Sequence, residues 1–239
     1  MKIQGVALVG VKVYDNSFDS LGALLYVDAG QSASYPGSGT TWTGLSNNSH
    51  NATLVNSPGF TSAGAASYFS FNGTGSQYAS TTAAKFNTAY TGKTVMVAAR
   101  MANSSFPSSQ YRCLFGTNGG TRNFNTYMYF DGSNFKLHYS ANGVGGFSNN
   151  LSISYMQWLI IAITHTTGGL VTYYVNGQAV GTNTGVTFAQ YASNNGEFIA
   201  LGDNYWYGDI GFAAVYGRAL SATEILRNYN SKKSIYGLG

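Results

Sequence analysis

The chain is poor in the residues that brace small secreted proteins and equip enzymes. Of its 239 residues one is cysteine and three are proline. A single Cys113 excludes an intrachain disulfide framework. Beside Leu114 and Phe115 it reads as a small buried hydrophobe. Charge is scarce as well. Asp, Glu, Lys and Arg make up 8%, against roughly 25% in an ordinary soluble domain. Solubility then rests on Asn, Ser, Thr, Gly and Tyr, which suits a secreted or virion protein, or one packed into an assembly. No run approaches the ~18 apolar residues of a membrane helix, so no membrane partner is expected. Met1 to Val13 is partly apolar, but Lys12 interrupts it and no small-residue cleavage site follows, so no signal peptide is expected. The formal charge of +4 reflects few acids rather than many bases. Lys232-Lys233 is the only basic run, whereas nucleic-acid binders gather Lys and Arg on one face. No nucleic-acid partner is expected.

Catalytic chemistry also finds little to work with. The acids are Asp15, Asp19, Asp28, Asp131, Asp203, Asp209, Glu197 and Glu224. Cleaving a glycosidic bond takes two carboxylates flanking that bond, and no strand carries two acids two to four residues apart. The expectation is a protein without enzymatic activity. His50, His138 and His165 lie far apart in no metal-ligand spacing. They read as satisfied strand or turn histidines.

What is present is 44% hydrophobic residues, 15% aromatics and 31 glycines, arranged as strand-like runs parted by Gly and Asn turns. Leu170 to Val175 alternates and meets Asn176-Gly177, the dipeptide best suited to a two-residue hairpin turn, since both central residues need positive φ. Thr126 to Asp131 and Phe135 to Tyr139 frame Asp131-Gly132, read as a second turn of that type. Thr94 to Met101, Arg112 to Phe115 and Trp158 to Thr166 are apolar strands. Gly208 to Tyr216 places Ile210, Phe212, Ala214 and Tyr216 on one face by simple alternation. Ser221 and Glu224 then have the spacing of a capping box, with Leu220 and Ile225 at the staple positions, so one short helix ends the chain. This pattern argues an all-β, two-sheet antiparallel sandwich with one short C-terminal helix. Residues 21–239 form that sandwich. Residues 1–20 are an N-terminal arm or extra strand, pairing with its own sheet edge or reaching a partner subunit by strand addition.

Several stretches resemble the concanavalin A-like lectin/glucanase superfamily in its laminin-G-like branch. They are Tyr174-Val175-Asn176-Gly177, Gly208 to Tyr216, and Arg218-Ala219-Leu220-Ser221 with Glu224-Ile225. At the front, Leu24 to Gly30, Ser34 to Gly37, Thr41-Trp42 and Tyr68 to Gly73 match as well. The resemblance covers residues 21–236 and implies a jelly-roll fold. It is similar to the stand-alone domains of this kind in bacteriophage particles. It also implies calcium as a cofactor to look for, which takes six to eight oxygen ligands. Asp28, Asp203 and Asp209 are the candidate ligands, against a reading in which such aspartates simply make turns.

Sugar binding needs exposed aromatic faces with Asn or Asp alongside. Asp203, Asn204, Tyr205, Trp206 and Tyr207 offer both in one short loop. The competing readings pack Trp206 or Tyr207 into the core, or use them in a protein contact. Phe106 to Tyr111 and Gly119 to Asn125 form a second polar-aromatic rim. The leading expectation is a non-enzymatic virion structural protein, a phage capsid decoration or tail-associated protein made in the host cytoplasm, acting as a homo-oligomer or within a larger assembly. A carbohydrate-binding module for cell-surface glycans is the alternative, and a glycoside hydrolase comes last.

Overall fold

The computed structural model describes residues 17–47, 50–73, 77–81, 90–102, 110–117, 125–141, 144–187, 197–199 and 206–239. The expected arm lies almost wholly outside the described residues. The strands, in chain order, are β1 (Leu25–Asp28), β2 (Thr41–Trp42), β3 (Ala52–Val55), β4 (Gly59–Thr61), β5 (Tyr68–Asn72), β6 (Tyr78–Thr81), β7 (Gly92–Met101) and β8 (Gln110–Thr117). They continue as β9 (Asn125–Phe130), β10 (Phe135–Ala141), β11 (Val144–Phe147), β12 (Trp158–Thr166), β13 (Val171–Val175), β14 (Gln178–Asn183), β15 (Glu197–Ile199) and β16 (Tyr207–Tyr216). A helix, α1 (Ala222–Lys232), and a 3-10 turn at Lys233–Tyr236 close the chain. No helix among the described residues is long and apolar enough to cross a membrane.

Every pairing between these strands is antiparallel, in two sheets. One runs β14-β13-β12-β7-β16-β5-β4, with β1 beside β5 on the same edge of β16. The other runs β11-β10-β9-β8-β15-β6-β3-β2. Alternating side chains of both sheets meet in one core. Val95, Val97, Ile161, Ile163 and Tyr173 from the first pack with Trp42, Leu114, Met128, Leu137 and Tyr139 from the second. This is the all-β sandwich with a short C-terminal helix that the sequence predicts.

The first sheet also buries its outer face. Met96, Ala98, Ile160, Ala162, Phe212, Ala214 and Tyr216 form a second core with Leu220, Ile225 and Tyr236. The helix sits there because its start is fixed. Ser221 Oγ accepts the Glu224 amide, Glu224 accepts the Ser221 amide, and Leu220 and Ile225 are both buried. We call this the helix-side sheet and the other the open sheet, since no helix among the described residues lies on its outer face.

Two local readings need correction. Ile210 does not share a face with Phe212. A bulge between them turns Ile210 into the inter-sheet core and Phe212 toward the helix. A bulge inserts an extra residue and so reverses the alternation beyond it. The β9–β10 connection is a four-residue loop rather than a two-residue turn. Phe130 pairs with Phe135, Gly132 alone has positive φ, and Asp131 Oδ1 accepts the Ser133 and Asn134 amides. The β13–β14 turn is as expected. Val175 pairs with Gln178, and Asn176 and Gly177 have φ of 51° and 77°.

Candidate functional site

The expected binding loop divides by strand alternation. Trp206 points inward and is fully buried in the inter-sheet core, so its ring offers no face to a ligand. That overturns its use as a binding platform. Tyr207 and Asp209 point outward. Tyr207 is half-buried and lines a cleft with Asp209. Asp203, Asn204 and Tyr205 lie outside the described residues.

The two described aspartates of the metal reading, Asp28 and Asp209, are each bound by a basic side chain. Asp28 is 2% exposed, and its Oδ2 takes Lys232 Nζ at 2.7 Å and the Tyr26 hydroxyl at 2.8 Å. Its Oδ1 takes the Gly30 amide. Asp209 Oδ2 takes Arg100 Nη2 at 2.7 Å and Nε at 2.8 Å, and its Oδ1 takes the Ser70 hydroxyl at 2.6 Å. A carboxylate already neutralised by a cation is a poor calcium ligand. Among the described residues no three His, Cys, Asp or Glu side chains gather as a metal site.

Asp19, Asp28, Asp131, Asp209 and Glu224 each have a basic partner. Asp19 meets Arg218 and Arg227, Asp131 meets Lys136, and Glu224 meets Arg218. Arg218 holds Glu224 well below the ordinary carboxylate range, at about 2. Asp19 and Glu224 are near neighbours, but the Arg218 guanidinium lies between them.

The open sheet carries what the sequence reading did not assemble. Along β9 and β10, Met128, Leu137 and Tyr139 face the core, so Tyr127, Tyr129, Lys136 and His138 face outward. Tyr111 on β8 pairs with Tyr129, and Phe147 on β11 pairs with His138. The result is five rings across four adjacent strands. Tyr111 and Tyr129 have centroids 4.6 Å apart, His138 and Phe147 4.5 Å, Tyr111 and His138 4.9 Å, and Tyr129 and Phe147 5.1 Å. Tyr127 fills the base, buried, its hydroxyl accepting Asn125 Nδ2 at 2.7 Å. Tyr111 and Tyr129 are half-exposed, and Phe147 is 37% exposed. Lys136 Nζ stands 6.0 Å from the Phe147 centroid while bridging to Asp131 at 2.9 Å. Rings at these separations hold one another in place. Of this group the sequence reading named only Tyr111 as a rim residue. The available signal was Tyr127, Tyr129 and His138 alternating with buried positions around one hairpin.

His138 is not the satisfied histidine expected. Its Nδ1 is buried without a hydrogen-bond partner among the described residues, and burial pushes its pKa down to about 4. His165 does match. Its Nδ1 takes the Tyr139 hydroxyl at 2.8 Å, and its Nε2 donates to the Val186 carbonyl at 3.0 Å.

Two antiparallel sheets, one backed by a helix and one presenting aromatic rings, define the jelly-roll sandwich class. A laminin G family model described as "Concanavalin A-like lectin/glucanases superfamily" matches residues 71–226, and the chain belongs to that superfamily. Solved structures agree on the fold. The binding domain of botulinum neurotoxin serotype G aligns at TM-score 0.66 and 16% identity over 89% of this chain and 51% of that one. Domain 4 of AbnA, a GH43 extracellular arabinanase from Geobacillus stearothermophilus, in complex with arabinotriose, aligns at 0.63 and 13% over 88% of this chain and 100% of that one. Trypanosoma rangeli sialidase aligns at 0.62 and 15% over 90% of this chain and 33% of that one. The chain thus spans about half of the neurotoxin binding domain and a third of the sialidase. No curated protein sequence matches it.

Proposed function

We propose that this chain is a non-enzymatic adhesion module that holds glycan on the outer face of its open sheet. One observation carries the reading. Tyr111, Tyr129, His138 and Phe147 form a partly exposed ring surface, with Lys136 and Asp131 at its edge. Pyranose rings have an apolar face that stacks on such rings and hydroxyls that reach flanking polar groups. The neighbours include a domain bound to arabinotriose and a neurotoxin binding domain in complex with SialylT, which favours a glycan over other partners. The non-enzymatic half of the proposal rests on five carboxylates, Asp19, Asp28, Asp131, Asp209 and Glu224, each engaged by a basic side chain. A glycan array probed with the purified chain and with Phe147→Ala tests it. Truncating one central aromatic anchor typically costs about 2 kcal/mol, more than a tenfold loss. The array signal should fall accordingly while the melting curve holds. An array without signal, or one indifferent to Phe147→Ala, refutes the reading.

A second reading keeps the expected virion role, in which the module is carried on a bacteriophage particle as a decoration or tail-associated protein. The 8% charge content favours it, since so uncharged a surface fits a protein held within an assembly. Mass spectrometry of the purified parent particle decides it, and absence of this chain from the particle ends it.

A further inference from the structure

The helix-side sheet is covered over only part of its outer face. Trp158 packs on Tyr236 at 4.8 Å between centroids, and this contact marks the border of the helix-covered half. Beyond it the strands carry polar groups. The Arg100 guanidinium lies 5.0 Å from both the Tyr68 and Trp158 ring centroids and is ion-paired to Asp209. Next to this pair, a cleft of about 310 Å³ is lined by Ser70, Asn72, Gln77, Tyr207 and Asp209, with Gly59 among the residues at its wall. That volume is near the lower end of ligand sites, roughly 300–1,000 Å³.

We infer that this cleft is a second binding site, for one neutral hydroxylated ring such as a single hexose or pentose unit. Hydrogen-bond capacity sets the class. An ionised carboxylate offers about four acceptor positions. Arg100 Nε and Nη2 both use Oδ2, whereas Oδ1 has the Ser70 hydroxyl as its partner. Ser70 spends its proton on Asp209, so its own oxygen still accepts. Two adjacent acceptors therefore face a ligand that must donate, and hydroxyl groups donate. The Arg100–Asp209 pair carries no net charge, which favours a neutral donor over a cation. Arg100 packs against the Tyr68–Trp158 ring pair, so the acceptor it positions is pre-formed, which lowers the ordering cost of binding. Tyr207 adds an aromatic wall. The site shares no residue with the ring face of the open sheet and does not rest on it.

The test is saturation-transfer NMR with four named probes: the methyl glycosides of glucose, galactose, mannose and arabinose. At least one should receive saturation from the protein. Gly59→Leu should abolish that signal, because Gly59 lines the cleft and a β-carbon there meets only an ordinary contact with Ser70 at 3.7 Å. Ser70→Ala removes one of the two acceptors and should weaken the same probe about tenfold, and it decides the matter should Gly59→Leu fail to fold. Absence of transfer to every probe overturns the inference, as does a signal unchanged in both variants. A signal that vanishes in Phe147→Ala but survives Gly59→Leu places the sugar on the open sheet and overturns it too.

Discussion

Tyr236 lies so close over Gly211 that a β-carbon on that glycine would overlap its hydroxyl and meet its Cε1 at 2.7 Å. Gly211 is the residue between Ile210 and Phe212, where the β7–β16 register shifts. Its carbonyl takes the Ala29 amide at 2.9 Å. The bulge and the C-terminal tyrosine are therefore one packing unit, which separates the inter-sheet core from the core under the helix. Gly211→Ala overpacks it and should lower stability by about 1–3 kcal/mol, read as a lower urea midpoint at constant slope.

The same tyrosine gives a prediction of opposite sign. The Tyr236 hydroxyl is buried with no hydrogen-bond partner among the described residues. A buried unpaired polar group costs about 1–3 kcal/mol. Tyr236→Phe should leave stability unchanged or raise it by about 1 kcal/mol, and a clear loss in thermal unfolding would mean the hydroxyl does bond.

Lys232 and Asp28 join the helix to the first strand across 204 residues of sequence. Their side chains are 8% and 3% exposed, and Lys232 Nζ also sits 5.5 Å from the Phe18 and Tyr26 centroids. Removing one partner of a buried pair strands the other charge and costs about 3–5 kcal/mol. Lys232→Met should show that loss in denaturant unfolding. The double variant Lys232→Met with Asp28→Leu should recover part of it, because no charge stays buried while the Tyr26 hydroxyl and Gly30 amide lose their acceptor.

Acid should loosen the fold through its buried histidines. Burial lowers the folded pKa of His138 from 6.5 to about 4. It also lowers that of His165, with Lys93 adding to the effect and the Val186 carbonyl opposing it. The unfolded chain then binds more protons between these values. The contribution is complete above pH 6.5 and is lost as pH falls toward 4, at about 1.4 kcal/mol per unit for one such group. His138→Phe should flatten the part of the urea midpoint's pH dependence that His138 causes. An unchanged slope in that variant would deny its role.

Much of the fold is legible because its signals are local. Asn176-Gly177 makes the turn its φ preferences dictate, and Ser221 with Glu224 caps the helix within a single turn. The split of β16 is not legible, because the residue that crowds Gly211 arrives only at Tyr236. The pairing of Asp28 with Lys232 is hidden for the same reason: two distant positions meet only after the helix docks. At the candidate site, alternation predicts that Tyr129 and His138 face outward from their strands. That Tyr111 and Phe147 join them depends on strand order, which no single segment encodes. Trp206 is the opposite case, since its place inside the sandwich follows from the alternation that sends Ile210 the same way.

The most direct test of the ring face is a chemical-shift map. An oligosaccharide selected on the array is titrated into the chain while its aromatic ring resonances are followed. The account predicts the largest shifts at Tyr111, Tyr129, His138 and Phe147, with loss of those shifts in Phe147→Ala. Shifts absent from these four rings and concentrated on another surface would contradict it.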